Sequence, residues 1–209
     1  MTSIMRVLMA ATLGAVAASS PGFSAQGDDP DWPCIQRKVP ELSIGQIWTG
    51  PELPPQAADW AKDAAISELV DDLAARRLPL PAAQEKIKAY RDALPEDQRP
   101  QHIAMLIQGL FDKMNGERSH VISGIARYAH RQRDLAASLR REGSALDAMR
   151  TRPDADQNQV TLRSEQLMFQ TRIFQERIQS LTYVCEVPTL IEQRLYALVR
   201  TFAEAPPAQ

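Results

Sequence analysis

The chain has little of what catalysis or metal binding is usually built from. Its 209 residues include only three histidines and two cysteines. On one helix, His120 and His130 would stand ten residues apart, not at the i, i+4 spacing by which two histidines share a metal, and His102 lies further off. There is no Cys-x-x-Cys-His, so haem of the c type has no attachment motif. The nine glycines fall mostly singly, which leaves no glycine-rich phosphate loop. Ser119 precedes His120 directly, but helical neighbours point about 100° apart and share a proton poorly. Met105, Met114, Met149 and Met168 are scattered along apolar stripes, where they fill a core better than they ligate copper. No metal, cofactor or catalytic residue is expected on these grounds.

A charge excess is missing too. The formal net charge is −2. A nucleic-acid partner is not expected, because phosphate binding normally leaves a strong basic excess. No apolar run approaches the roughly 20 residues that a membrane-spanning helix needs. What the N-terminus does have is Arg6, an apolar run from Val7 to Ala18, and the small-residue stretch Ser19 to Ala25. That order is the pattern of a secretory signal peptide, with Ala25 the first choice for cleavage and Ser24 or Ala18 as alternatives. Residues 1–25 are therefore read as a signal peptide and 26–209 as a single domain, exported to the periplasm without a transmembrane anchor. Arg6 is the one charged side chain in the leader, so its loss takes the net charge from −2 to −3.

Both cysteines, Cys34 and Cys185, lie in the mature part, and in an oxidising compartment they are expected to form one disulfide. Cys34 sits in residues 26–55, where prolines at 30, 33, 40, 51, 54 and 55 forbid a long helix. Trp32, Ile35, Val39, Leu42, Ile47 and Trp48 are too apolar for a free linker. The segment reads as an extended strap laid over a helical body and stapled by Cys34.

From Pro55 the pattern turns helical, with one helix expected to Arg77 and a second from Pro81 to Leu94. The next stretch dominates the chain. Ile107, Met114, Val121, Tyr128, Leu135, Glu142 and Met149 repeat at seven, accompanied by Ala104, Phe111, Arg118, Ile125, Gln132, Leu139 and Leu146. This is the seam of a coiled coil, and it passes through the turn dipeptide Asn115-Gly116 without a slip. One helix over 100–151 is therefore expected, with a kink at most at Gly116. After Arg152-Pro153-Asp154, Val160, Leu167, Phe174 and Leu181 define a return helix to about Cys185. Pro188 is placed in the first turn of a separate last helix over 187–204, with 205–209 a flexible tail. The fold class expected is all-α: a long antiparallel helical hairpin over 100–184 packed with shorter helices, the Trp/Pro-rich strap and one disulfide.

The stretch Asp31-Trp32-Pro33-Cys34-Ile35-Gln36-Arg37-Lys38-Val39-Pro40, coming after a signal peptide, resembles the N-terminus of certain small exported proteins of proteobacteria. The resemblance implies export and no particular activity. The function expected is that of a non-enzymatic periplasmic interaction or scaffold protein that uses the hairpin for a protein partner or for self-association. Its candidate surface is Arg127, Tyr128, Arg131, Gln132 and Arg140, within a basic stripe suited to an acidic protein or an anionic envelope surface. Two other classes are carried beside it. A small-ligand carrier would need a pocket between the shorter helices and the strap, lined by Trp48, Trp60 or Tyr90. A hydrolase would need His102 or His120 beside an acid or a serine in a cleft. The export reading predicts that the full-length chain, expressed in a bacterium, yields a periplasmic protein beginning at Gln26. Intact-mass measurement of the periplasmic fraction checks this, and retention of the leader would contradict it.

Overall fold

A computed structural model describes residues 29–203, so the signal peptide and the tail expected above lie outside the described residues. Their regular structure is all helical, with no strand among the described residues. The helices are α1 (Ile44–Ile47), α2 (Ala64–Ala74), α3 (Leu80–Ala93), α4 (Arg99–Arg150) and α5 (Gln157–Ala203), with a 3-10 segment over Pro55–Lys62. The strap, the long antiparallel hairpin and the Cys34–Cys185 disulfide are all present.

α4 runs unbroken for 52 residues, about 78 Å at 1.5 Å per residue. Asn115-Gly116 does not turn the chain. The Asn115 side chain is used elsewhere, its Oδ1 accepting the Leu42 N–H of the strap at 3.0 Å. The chain then reverses over residues 151–156, and the Asp156 carboxylate caps α5 by accepting the Asn158 N–H at 2.9 Å.

Two boundaries differ from expectation. The separate return and last helices are one 47-residue helix, α5, with Pro188 inside it. A proline there forfeits one backbone hydrogen bond. The apolar phase outweighs it: Leu181, Pro188, Leu195 and Phe202 follow at seven, and all four are buried. The helix expected from Pro55 to Arg77 is instead two pieces. Asp63 adopts an extended conformation and its carboxylate accepts the Ile66 N–H at 3.0 Å, which ends the 3-10 segment and starts α2. At the other end of α2 the Leu73 and Ala75 carbonyls accept from Arg194 of α5 at 2.9 and 3.1 Å. A cation suits a helix C-terminus, although burial pulls the Arg194 pKa below its ordinary value.

The core lies at one end of the hairpin. Ile66, Val70 and Leu73 of α2, Ala83 and Ile87 of α3, Leu106, Ile107, Leu110 and Met114 of α4, and Ile191, Leu195 and Leu198 of α5 form one buried cluster. A second, small cluster surrounds the disulfide with Ile125 and Leu181. Toward the tip the grooves are walled by α4 and α5 alone. No helix of the described residues is long and apolar enough to cross a membrane.

Gly109 marks a close approach to α4. A Cβ there would meet Val70 Cγ2 at 2.7 Å and the Trp60 ring at 2.9 Å, whereas one at Gly116 would meet nothing within 4 Å. In a helix interior Ala is favoured over Gly by about 1 kcal/mol, and overpacking a core costs about 1–3 kcal/mol. Gly116→Ala is therefore expected to raise the thermal midpoint by a few degrees and Gly109→Ala to lower it. Thermal unfolding followed by circular dichroism reads both signs.

Candidate functional site: the hairpin surface and the groove beside the disulfide

The strap is lashed to α4 along its length. At its start the Asp31 carboxylate lies 3.1 Å from Arg133 Nη1 and 3.2 Å from His130 Nδ1. Asp29 pairs with Lys38 at 2.6 Å, and that hydrogen bond is the main reason its carboxyl sits below the usual range. Cys34 is bonded to Cys185, Cα to Cα 5.5 Å, across a sequence separation of 151. Further on, Arg118 Nη1 donates to the Val39 carbonyl at 2.7 Å and Ser119 Oγ to the Pro40 carbonyl at 2.8 Å.

Arg118 and Gln132 are the two polar residues in the buried part of the seam, and their fates differ. Arg118 is buried, serves the strap, and has its Nε 3.4 Å from Glu192 Oε2. Gln132 is only 6 % exposed, and its Oε1 is shielded from solvent without a hydrogen-bond partner.

The five residues of the expected partner surface all lie on α4 and differ in exposure. Arg127, Arg131 and Arg140 are exposed, but Tyr128 is half-buried against the disulfide cluster and Gln132 is buried. Arg140 follows Arg131 by nine residues, about half a helical turn out of phase, so it faces away from it. Along the basic stripe, Lys113, Arg133, Arg150 and Arg152 pair with Asp71, Asp31, Asp147 and Asp154. No ion pair engages Arg127, Arg131, Arg140 or Arg141 among the described residues.

The histidines are separate as well. His102 Nδ1 lies 2.9 Å from the Tyr90 hydroxyl, whose pKa burial raises; His120 is exposed; His130 faces Asp31 and Asp134. Among the described residues no group of three or more His, Cys, Asp or Glu is placed to hold a metal. Of Trp48, Trp60 and Tyr90, the three aromatics considered for a carrier's pocket, Trp48 lines one. Trp48 borders a groove of about 670 Å³ between the strap and the start of α4, with Leu53, Ile103 and Ile107. Trp60 lies on α4 and donates to Asp112 at 2.9 Å, and Tyr90 stacks on His102.

Two features escaped the sequence reading. One is a groove of about 480 Å³ where the strap crosses both hairpin helices, walled by the disulfide, Ile35, Phe174, Ile178 and Leu181, with Gln132 in the wall. The other is the outer face of α5. Leu162, Phe169, Tyr183 and Leu190 are 62, 64, 76 and 53 % exposed and follow one another at multiples of seven, with Glu176 in the gap. The signal for this face was available as a second seven-residue series, half a turn from the inner one.

Compared with protein-family models, with curated proteins and with solved structures, the chain finds no match in any of the three.

The disulfide closes a loop of 151 residues in sequence separation, for which the loop-entropy account gives an upper value of about 5 kcal/mol. Adding reductant is expected to lower the urea midpoint substantially, and Cys34→Ser combined with Cys185→Ser to reproduce the shift without reductant. Equilibrium urea unfolding of the three samples checks this.

Proposed function

We propose that the chain is an exported, non-enzymatic interaction protein whose hairpin associates with a second copy of itself through the outer face of α5. The observation that carries this reading is the exposed series Leu162, Phe169, Tyr183 and Leu190. A surface helix ordinarily turns polar residues outward, and a long apolar stripe left in water marks a site of association.

The stripe fits a copy of itself. Phe169 and Tyr183 stand seven residues to either side of Glu176, and Leu162 and Leu190 stand fourteen. A two-fold axis at Glu176 in an antiparallel pair sets Phe169 against Tyr183 of the second copy and Leu162 against Leu190. This is the self-complementarity that an isologous contact requires. Glu176 is held by its own Arg172 at 3.0 Å, and a polar layer at the axis fixes register. The stripe is about 42 Å long and a helix about 10–12 Å across, so each copy offers about 420–500 Å². Together the two come to about 840–1,000 Å², at the lower edge of what a specific interface needs. Pairing would turn the thin two-helix tip into a four-helix layer.

Support for export comes from the N-terminal leader pattern, from a disulfide that suits an oxidising compartment, and from the resemblance of residues 31–40. The non-enzymatic reading rests on the three histidines, each of which sits in different surroundings and outside both grooves.

Light scattering of the mature chain is expected to give a dimer that persists in reductant. Phe169→Lys with Tyr183→Lys is expected to give a monomer of unchanged helicity, because both side chains leave the fold's own core untouched. A monomeric wild type at tens of micromolar would overturn self-association and leave Arg127 and Arg131 as the surface to test for another protein.

A further inference from the structure

We propose that the groove between the strap and the start of α4 binds a small organic ammonium ion, its alkyl chain on the apolar walls and its charge held by the Trp48 ring and the Glu52 and Asp97 carboxylates. The groove measures about 670 Å³, within the range of roughly 300–1,000 Å³ of small-molecule sites. Trp48, Leu53 and Ile103 are its apolar walls. Each packs on the main core and is only half-buried, so the wall is fixed by the fold and still reachable.

The ring of Trp48 is set in place before any ligand arrives. Its backbone N–H closes α1 on the Ile44 carbonyl at 2.8 Å, and its Nε1 donates to the Pro51 carbonyl at 2.7 Å. The ring lies over Gly50, where a Cβ would come within 2.0 Å of Cζ2, so only glycine admits this arrangement. An indole has one donor and no acceptor, and here that donor is spent. What the ring offers the groove is its π surface, which attracts cations.

The charge around the groove has one sign. Glu52 and Asp97 line it and are exposed, and among the described residues no lysine, arginine or histidine stands in the lining. Neither acid enters an ion pair among the described residues, whereas Asp71, Asp72 and Glu85 of α2 and α3 each have a lysine. A helix N-terminus ordinarily favours an anion, but the start of α4 is poorly equipped for one. Pro100 has no N–H, the Arg99 N–H is used by the Pro95 carbonyl at 3.0 Å, and Asp97 already supplies a negative charge. The groove therefore selects a cation over a neutral or anionic amphiphile of the same length. No described residue of α5 lines it, so the proposal stands apart from association through that helix.

Isothermal titration of the mature protein with octylammonium chloride, near neutral pH and at low salt, tests the proposal, with 1-octanol and octanoate as the neutral and anionic comparisons. Saturable binding at one site per chain is expected, about tenfold tighter for the ammonium than for the alcohol, with octanoate weakest. Glu52→Gln combined with Asp97→Asn should reduce octylammonium to the affinity of octanol. The thermal midpoint of that variant should not move, because both acids are exposed and outside any ion pair. Tryptophan fluorescence locates the ligand: octylammonium should change the emission of the wild type, and the change should vanish in Trp48→Phe, which keeps Trp32 and Trp60. Absence of saturable octylammonium binding would overturn the proposal, as would equal affinity for the three probes or an unaltered affinity in the doubly neutralised variant. A fluorescence change that persists in Trp48→Phe would put the ligand elsewhere and overturn it too.

Discussion

Everything in the molecule depends on one contact, the antiparallel seam between α4 and α5. Its supports are unequal along its length. At the body end α2, α3 and the 3-10 segment close over it, and Ile107, Leu110, Leu195 and Leu198 are sealed from water. In the middle only the strap crosses, and there the core shrinks to Ile125, Leu181 and the disulfide. At the tip two helices face each other alone. Two cylinders in contact can hide one stripe each and no more, so any further apolar side chain on the tip must stay wet or find another surface. The exposed Phe169 of α5 follows from that geometry.

The hairpin was legible in the sequence because seven-residue spacing is a strong signal over fifty residues. At Asn115-Gly116 phase and local propensity disagreed, and phase decided correctly, since Asn115 is occupied with Leu42 and Gly116 has open space around it. At Pro188 the same conflict arose and propensity was followed, although Leu181, Pro188, Leu195 and Phe202 keep the step. A proline in a helix loses one hydrogen bond; a helix that stops there would leave four buried positions without a shared face. The split at Asp63 was harder to foresee. It depends on a side-chain cap and on the fit of Trp60 against Gly109, a contact 49 residues distant in sequence that no local pattern carries.

The sites were less legible than the fold. Arg118 and Gln132 both break the seam, and a polar seam residue tells a reader only that something polar lies opposite. For Arg118 that proved to be the Val39 carbonyl; for Gln132 the rule failed, since its Oε1 is buried with no hydrogen-bond partner. Reading Tyr128 and Gln132 as surface residues came from weighting their neighbours in sequence, the exposed arginines, above their place in the seven-residue series. Trp48, Trp60 and Tyr90 drew attention as aromatics, yet each is spent on a different neighbour.

The bridge has a consequence for the order in which the chain matures. Cys34 leaves the ribosome well ahead of Cys185, and during that interval no other cysteine exists in the chain to intercept it. With two thiols there is one intramolecular pairing, so oxidation needs no proofreading and no isomerase to sort alternatives. Its timing is set by α5: until that helix is made and docked, the strap has nothing to close upon. The bond thus records that the last helix has reached its place.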